Sequence, residues 1–136
     1  VHLRASWMYD LPGYGLPIRG NLPLNLLRAA LKGEAVRFSR NDFRGVTYVR
    51  QVIENLEPAM DLPGGVYNFG SGNAEDMVCT ARQFAKALDI TVKITEESWE
   101  RNLVMDAAKL ERSGIRFAAT QQGIRCCLQD YGLSDL

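Results

Sequence analysis

The chain has 136 residues, 46% hydrophobic and 24% charged, with 16 basic and 16 acidic side chains and a formal net charge of +0. That length and composition suit one globular domain with a core of its own, and the balanced charge gives no electrostatic handle for nucleic acid or an anionic membrane. No apolar run reaches the roughly 18 residues needed to cross a bilayer, and no signal peptide is visible in a start that carries His2 and Arg4.

The first segment, "VHLRASWMYD", places Val1, Leu3, Ala5 and Trp7 on one side of an expected strand. It opens in mid-pattern, without an initiator Met, as a piece of a longer protein would. "LPGYGLPIRGN" is rich in Gly and Pro and reads as an irregular loop. Asn21 is placed to cap a helix with Pro23 in its first turn. Leu24, Leu27 and Leu31 are its expected buried stripe, widened by Leu26 and Ala30, and Gly33 is its stop. Val36 and Phe38 alternate with polar neighbours in a short strand.

"NDFRGVTYVRQVIENL" reads as a turn over its first half and a helix over its second, with Val49, Val52, Ile53 and Leu56 on one helical face. "LPGG" ends that unit. "VYNFGSGN" is a strand entering a small-residue loop. Asn73 followed by Asp76 resembles a capping box with Asp in the place of Glu. The next helix should bury Met77, Ala81, Phe84, Ala85 and Leu88, and "ITVKIT" is a further strand. "NLVMDAAKLERSGI" gives a short strand, Asp106 as a cap, and one or two helical turns stopped by Gly114. A last helix carries Ile124, Cys127, Leu128 and Tyr131. A few strands alternating with about four helices predict an α/β chain with some parallel pairing.

Several chemistries are missing from the pattern. There is no G-x-G-x-x-G, P-loop, H-E-x-x-H or G-x-S-x-G, and no Tyr is followed four residues later by Lys. One His supplies neither a metal cluster nor a credible triad. Glu96 and Glu97 read as a solvated charge run. Cys79, Cys126 and Cys127 are odd in number, two of them adjacent, and fall at apolar helix positions. They read as packing residues in a reducing cytoplasm rather than as a disulfide framework.

Two clusters could carry binding. Trp7 and Tyr9 share a strand parity and lead into a loop, where large rings can stack on a sugar or base. The plainer reading makes Trp7 core and Tyr9 an edge residue. Arg44 could grip phosphate with its planar fork beside a helix start, and Thr47 could add a hydrogen bond. The alternative for Arg44 is a surface ion pair with Asp42 or Asp61. "NFGSGN" has the look of a phosphate loop, but its small residues serve a tight turn equally well.

Taken in order, these segments resemble the dTDP-4-dehydrorhamnose reductase family of extended short-chain dehydrogenase/reductases, relatives of the sugar-nucleotide epimerases and dehydratases. "LRASWMYD" is similar to an "LRTSWVYG"-like strand. "NLPLNLLRAALKGEAVRFSRNDFRGVTYVRQV" resembles a helix, a strand and a "DQ-x-G-x-P-T" turn. "GGVYNFGSGNAEDMVCTARQFAKAL" and "NLVMDAAKLERSGI" resemble the family's next strand–helix unit and its "LD..Kl...Gi" element. The resemblance spans nearly the whole chain and rests chiefly on the order of loose motifs.

The resemblance implies the C-terminal part of such an enzyme: a single substrate-binding lobe over residues 1–136 with the last strands of the Rossmann sheet. The N-terminal NAD(P)-binding domain, with its Tyr-x-x-x-Lys, would lie outside this chain, leaving it with no catalytic residue, no metal and no cofactor of its own. By analogy Ala5, Ser6 and Trp7 would border the cofactor. Trp7, Asn21, Arg44 and Thr47 would hold a nucleotide sugar. The family often has Thr at the place of Ala5, Val46 stands where "P-T" has Pro, and the reductases usually carry Gly where Arg44 stands. The epimerases carry an Arg there, in "R-D-Y-I-H-V", that holds the pyrophosphate. A non-catalytic regulatory subunit with the same fold is the rival reading. Apolar surface left by an absent domain would favour a homodimer.

Overall fold

The structure is a computed structural model that describes residues 1–13 and 15–133; Tyr14, within the first expected loop, lies outside the described residues. Among the described residues, eight strands and five helices follow one another in an α/β order. The opening strand is split at Ser6 into β1 (His2–Ala5) and β2 (Trp7–Tyr9). After the loop come α1 (Leu22–Lys32), β3 (Ala35–Ser39), β4 (Asp42–Arg44), β5 (Val46–Tyr48) and α2 (Val49–Met60). The second half of the chain holds β6 (Val66–Phe69), α3 (Met77–Ala87), β7 (Lys93–Glu97), β8 (Arg101–Leu103), α4 (Ala108–Glu111) and α5 (Thr120–Asp130).

The strands form four parallel pairs: β1 with β6, β2 with β5, β3 with β7 and β4 with β8. Parallel pairing needs long crossovers, and the helices supply them. The split at Ser6 changes the partner of the first strand. Before it the strand runs beside β6, and after it beside β5, with Trp7 opposite Val46 and Tyr9 opposite Tyr48.

Among the described residues two apolar clusters form the core. The larger gathers Tyr9, Leu26, Val46, Phe84, Ile124 and Cys127 from β2, α1, β5, α3 and α5; the smaller joins Ala59, Tyr67, Phe69, Leu110 and Ile115 around β6. The expected caps of α1 are in place. The Asn21 Oδ1 accepts from the Leu24 N–H at 3.1 Å, and Gly33 ends the helix at φ 66°, a left-handed conformation that glycine adopts without strain.

Other expectations are corrected. Leu31 is 87% exposed, because α1 turns Leu22, Leu26 and Ala29 inward instead; the helix is apolar on more than one face, and its neighbours choose which to cover. In α2 the inward positions are Val52 and Ala59, while Ile53 and Leu56 face outward. The cap of α3 is Asp76, which accepts from the Cys79 N–H at 2.8 Å. Asn73 is a buried junction instead: its Nδ2 donates to the Arg44 carbonyl and to Thr80, and its Oδ1 accepts from the Glu75 N–H and Gln121. The expected turn at 41–48 is two short strands, β4 and β5, joined at Gly45. A Cβ there would collide with the carbonyl oxygen of Ser71, so the "NFGSGN" loop packs against this joint, with Ser71 and Asn73 buried.

The remaining expectations concern side chains at the rim. Glu96 joins Arg40 and Arg82, both at 2.6 Å, and Glu97 joins Arg37 at 2.7 Å. Cys79, Cys126 and Cys127 are free thiols. Among the described residues no helix is long and apolar enough to cross a membrane, and no group of three or more His, Cys, Asp or Glu could hold a metal ion.

Candidate functional site

Strand β4 alternates, so Asp42 and Arg44 lie on the same side of it. Both side chains are buried, Arg44 to 5% exposure. The Asp42 Oδ1 accepts from the Arg44 Nε and Nη2 at 3.3 and 3.4 Å. The Asp42 Oδ2 accepts from the indole N–H of Trp99 at 3.2 Å and lies 3.9 Å from the Arg101 guanidinium. Arg44 is thus an ion-paired residue, but a buried one, and its partner is Asp42.

The other face of Arg44 meets Trp7. Its guanidinium carbon lies 4.0 Å from the centroid of the indole, within range of a cation–π attraction worth up to about 2 kcal/mol when desolvated. Trp7 is 47% exposed, while Tyr9 is 2% exposed and stacks near Tyr48 in the core. The plainer expectation is therefore inverted: Tyr9 is the core ring and Trp7 the open one. Both rings belong to β2, but Tyr9 is covered by Tyr48, Phe84 and α5, whereas Trp7, at the start of the strand, is covered only in part, by Arg44.

Arg44 and Trp7 line a cavity of about 370 Å³ together with Ala5, Ser6, Arg4 and the segment Asn102–Met105. On its far side Trp7 also lines a smaller cavity of about 180 Å³, which it shares with Asn21, Asn25 and Phe38. The structure thus brings Ala5, Ser6, Trp7 and Arg44 together at one opening and sets Asn21 at the next. The Asn21 amide is partly spent: beyond capping α1, its Nδ2 donates to the Asp10 carbonyl at 3.0 Å. Thr47 is fully buried behind the site. Its hydroxyl shares a 2.7 Å hydrogen bond with Ser6 and accepts from the Ser71 N–H at 2.8 Å, which fastens the Ser6 break to the 70–73 loop.

Sequence reasoning missed three contributors. Arg4 adds a second cation to the cavity wall, Trp99 orients Asp42, and Asn102–Met105 form the opposite wall. Strand parity would have found Arg4 only if the split at Ser6 were known. Nothing in the sequence brings Trp99 to Asp42, since that contact depends on β4 pairing with β8. The cavity wall carries two cations, Arg4 and Arg44, beside an exposed indole, with the Asp42 carboxylate behind Arg44 and Arg101 beyond it. That corner suits an anionic ligand with a flat or ring-shaped part.

No protein-family model matches the chain, and no curated protein matches it. Solved structures do, on the fold. The UDP-glucose 4-epimerase of Thermus thermophilus, in complex with NAD, is 21% identical, with 96% of this chain covering 45% of that one at a TM-score of 0.67. The dTDP-4-dehydrorhamnose reductase of Bacillus anthracis str. Ames, in complex with NADP, is 14% identical, with 94% covering 47% at a TM-score of 0.76. The dTDP-glucose 4,6-dehydratase of the same organism, in complex with NAD, is 19% identical, with 96% covering 43% at a TM-score of 0.67. The chain spans less than half the length of each. Its structural neighbours are thus extended short-chain dehydrogenase/reductases of the sugar-nucleotide type, and the chain has the α/β fold of somewhat under half of such an enzyme.

Proposed function

We propose that this chain is the substrate-binding C-terminal portion of an NAD(P)-dependent sugar-nucleotide enzyme, of the dTDP-4-dehydrorhamnose reductase kind. The observation that carries this reading is Arg44: buried, stacked on Trp7, and facing a cavity of about 370 Å³. In this reading the guanidinium takes the diphosphate of a nucleotide sugar, Trp7 covers the sugar ring, and Asn21 lies at the neighbouring opening. Thr47 serves through Ser6, whose position its hydroxyl holds.

NAD(P) supplies the hydride chemistry of such enzymes. Its phosphates need a glycine-rich turn that this sequence lacks, so the chain would touch only one end of the cofactor, through Ala5, Ser6 and Trp7 at the cavity rim. The rest belongs to a Rossmann domain outside this chain. Exposed Val66, Leu103 and Val104 are apolar surface that such a domain, or in its absence a second copy of the chain, would cover. The Arg at position 44 favours one second reading, an epimerase or dehydratase rather than a reductase, since the resemblance places an Arg there in the epimerases.

Calorimetric titration of UDP and dTDP tests the reading. Arg44→Ala should lower affinity by about 2–3 kcal/mol at a temperature where a melt shows the variant folded. Equal affinity in wild type and variant would refute the role of Arg44. The isolated chain should turn over no 4-keto sugar nucleotide with NADPH, and measurable turnover would refute its assignment as a binding portion alone.

A further inference from the structure

One group is out of place in a corner built for an anion: the carboxylate of Asp42, 3% exposed. It is held from both sides. Its Oδ1 takes two N–H groups of Arg44, and its Oδ2 takes the Trp99 indole N–H. Turning away from Arg44 would break the Trp99 bond as well. Arg44 has five N–H groups, and Asp42 occupies one on Nε and one on Nη2. The Nη1 group has no hydrogen-bond partner among the described residues, and Arg44 lines the cavity. The fork is therefore pinned along one edge by Asp42 and along one face by Trp7, which leaves its Nη1 end for a ligand.

The charge balance is equally specific. Asp42 offsets one cation, and Arg101, 3.9 Å from its Oδ2 and half-exposed, offsets Asp42 in turn. Arg101 does not line the cavity; it meets this cluster at Asp42.

We propose that Asp42 is a positioning and specificity-determining residue of this site, a proposal that rests on the diphosphate reading above. It aims the Arg44 fork and tempers its charge, so that binding rewards two suitably spaced phosphate oxygens over a lone anion. A bidentate contact depends on how the fork is presented, whereas bare charge attracts any anion.

Both tryptophans of the chain, Trp7 and Trp99, flank this cluster, so intrinsic fluorescence reports binding. The probes are UDP, inorganic phosphate and uridine, titrated into the whole chain. Asp42→Asn keeps an acceptor oxygen for Arg44 and removes the charge; Trp99 is 37% exposed and its N–H can turn to water. The variant should bind inorganic phosphate about fivefold tighter, bind uridine unchanged, and show a narrower preference for UDP over phosphate. Arg101→Gln, at an exposed side chain, should shift phosphate binding the other way, about twofold weaker.

Phosphate affinity and UDP preference both unchanged in Asp42→Asn would overturn the proposal. If Arg44→Ala loses UDP while Asp42→Asn behaves as wild type, the diphosphate site stands and only the role of Asp42 falls. Failure of wild type and both variants to bind UDP or phosphate overturns both readings. Should Asp42→Asn not fold, Asp42→Glu, which keeps the charge and moves the carboxylate, decides: a changed preference for UDP over phosphate supports the proposal, and a wild-type preference overturns it.

Discussion

The guanidinium of Arg44, from β4, lies 4.0 Å over the indole of Trp7, from β2, although the two strands are not paired with each other. The contact is made through β5, which comes after Arg44 and a single glycine and runs parallel to β2. A double-mutant cycle measures it. Trp7→Leu and Arg44→Met, alone and together, should give a coupling of about 1–2 kcal/mol in urea unfolding. Additive effects would mean that the stacking has no energetic content.

Asn73 ties the site to the helices behind it. Its four hydrogen bonds reach the Arg44 backbone, Thr80, Glu75 and Gln121. Asn73→Ala strands several buried partners and should cost about 3 kcal/mol. Asn21→Ala removes mainly a helix cap and should cost about 1 kcal/mol. Reversal of that order in chemical denaturation would show that the Asn73 junction is not needed.

Gly45 and Gly64 make a matched pair. A Cβ on Gly45 would run into the Ser71 carbonyl oxygen, a backbone atom that cannot swing away, whereas a Cβ on Gly64 meets nothing within 4 Å. Gly45→Ala should therefore lower the melting temperature sharply or abolish soluble folded protein, and Gly64→Ala should stay within about 0.5 kcal/mol of wild type. Equal melting temperatures for the two variants would contradict the packing of the 70–73 loop on the β4–β5 joint.

The core carries an alkaline limit. Burial, with Asp10 and Asp130 nearby, pushes the Cys127 thiol from its ordinary 9.0 up to about 12. Burial also raises the phenols of Tyr9 and Tyr48 above their ordinary 10.0. The folded state keeps protons that the unfolded chain releases, so this contribution is complete below pH 9 and is lost as the pH climbs toward the raised values. Thermal melts should be level from neutral pH to about 9 and decline above it. Cys127 should resist iodoacetamide until the chain unfolds. A melting temperature that rises above pH 9, or rapid labelling of native Cys127, would contradict this.

Much of the backbone is legible from local pattern. Asn21, Gly33 and Gly114 punctuate helices where their chemistry says they should, and the apolar spacing of α3 and α5 predicts what they bury. The pattern misleads where apolar residues exceed what the fold can cover. Leu31, Ile53 and Leu56 fit a helical period, yet their side chains are exposed. At 41–48 polar and small residues imitate a turn, because a strand of three residues is too short for alternation to declare itself.

For the candidate site the division is sharper. From its own residues the sequence determined that the chain is α/β, that it lacks glycine-rich and Tyr-x-x-x-Lys motifs, and that Trp7 and Arg44 deserve scrutiny. Those properties are local, set by residue type and spacing. Only the tertiary structure decided that Arg44 is buried on Trp7, that Asp42 and Trp99 aim it, and that Thr47 supports Ser6 from behind. All but the Asp42–Arg44 pair, which lies within β4, join distant segments through parallel strand pairing. Such pairing leaves no mark on local periodicity, because its partners meet only after a long crossover has folded back.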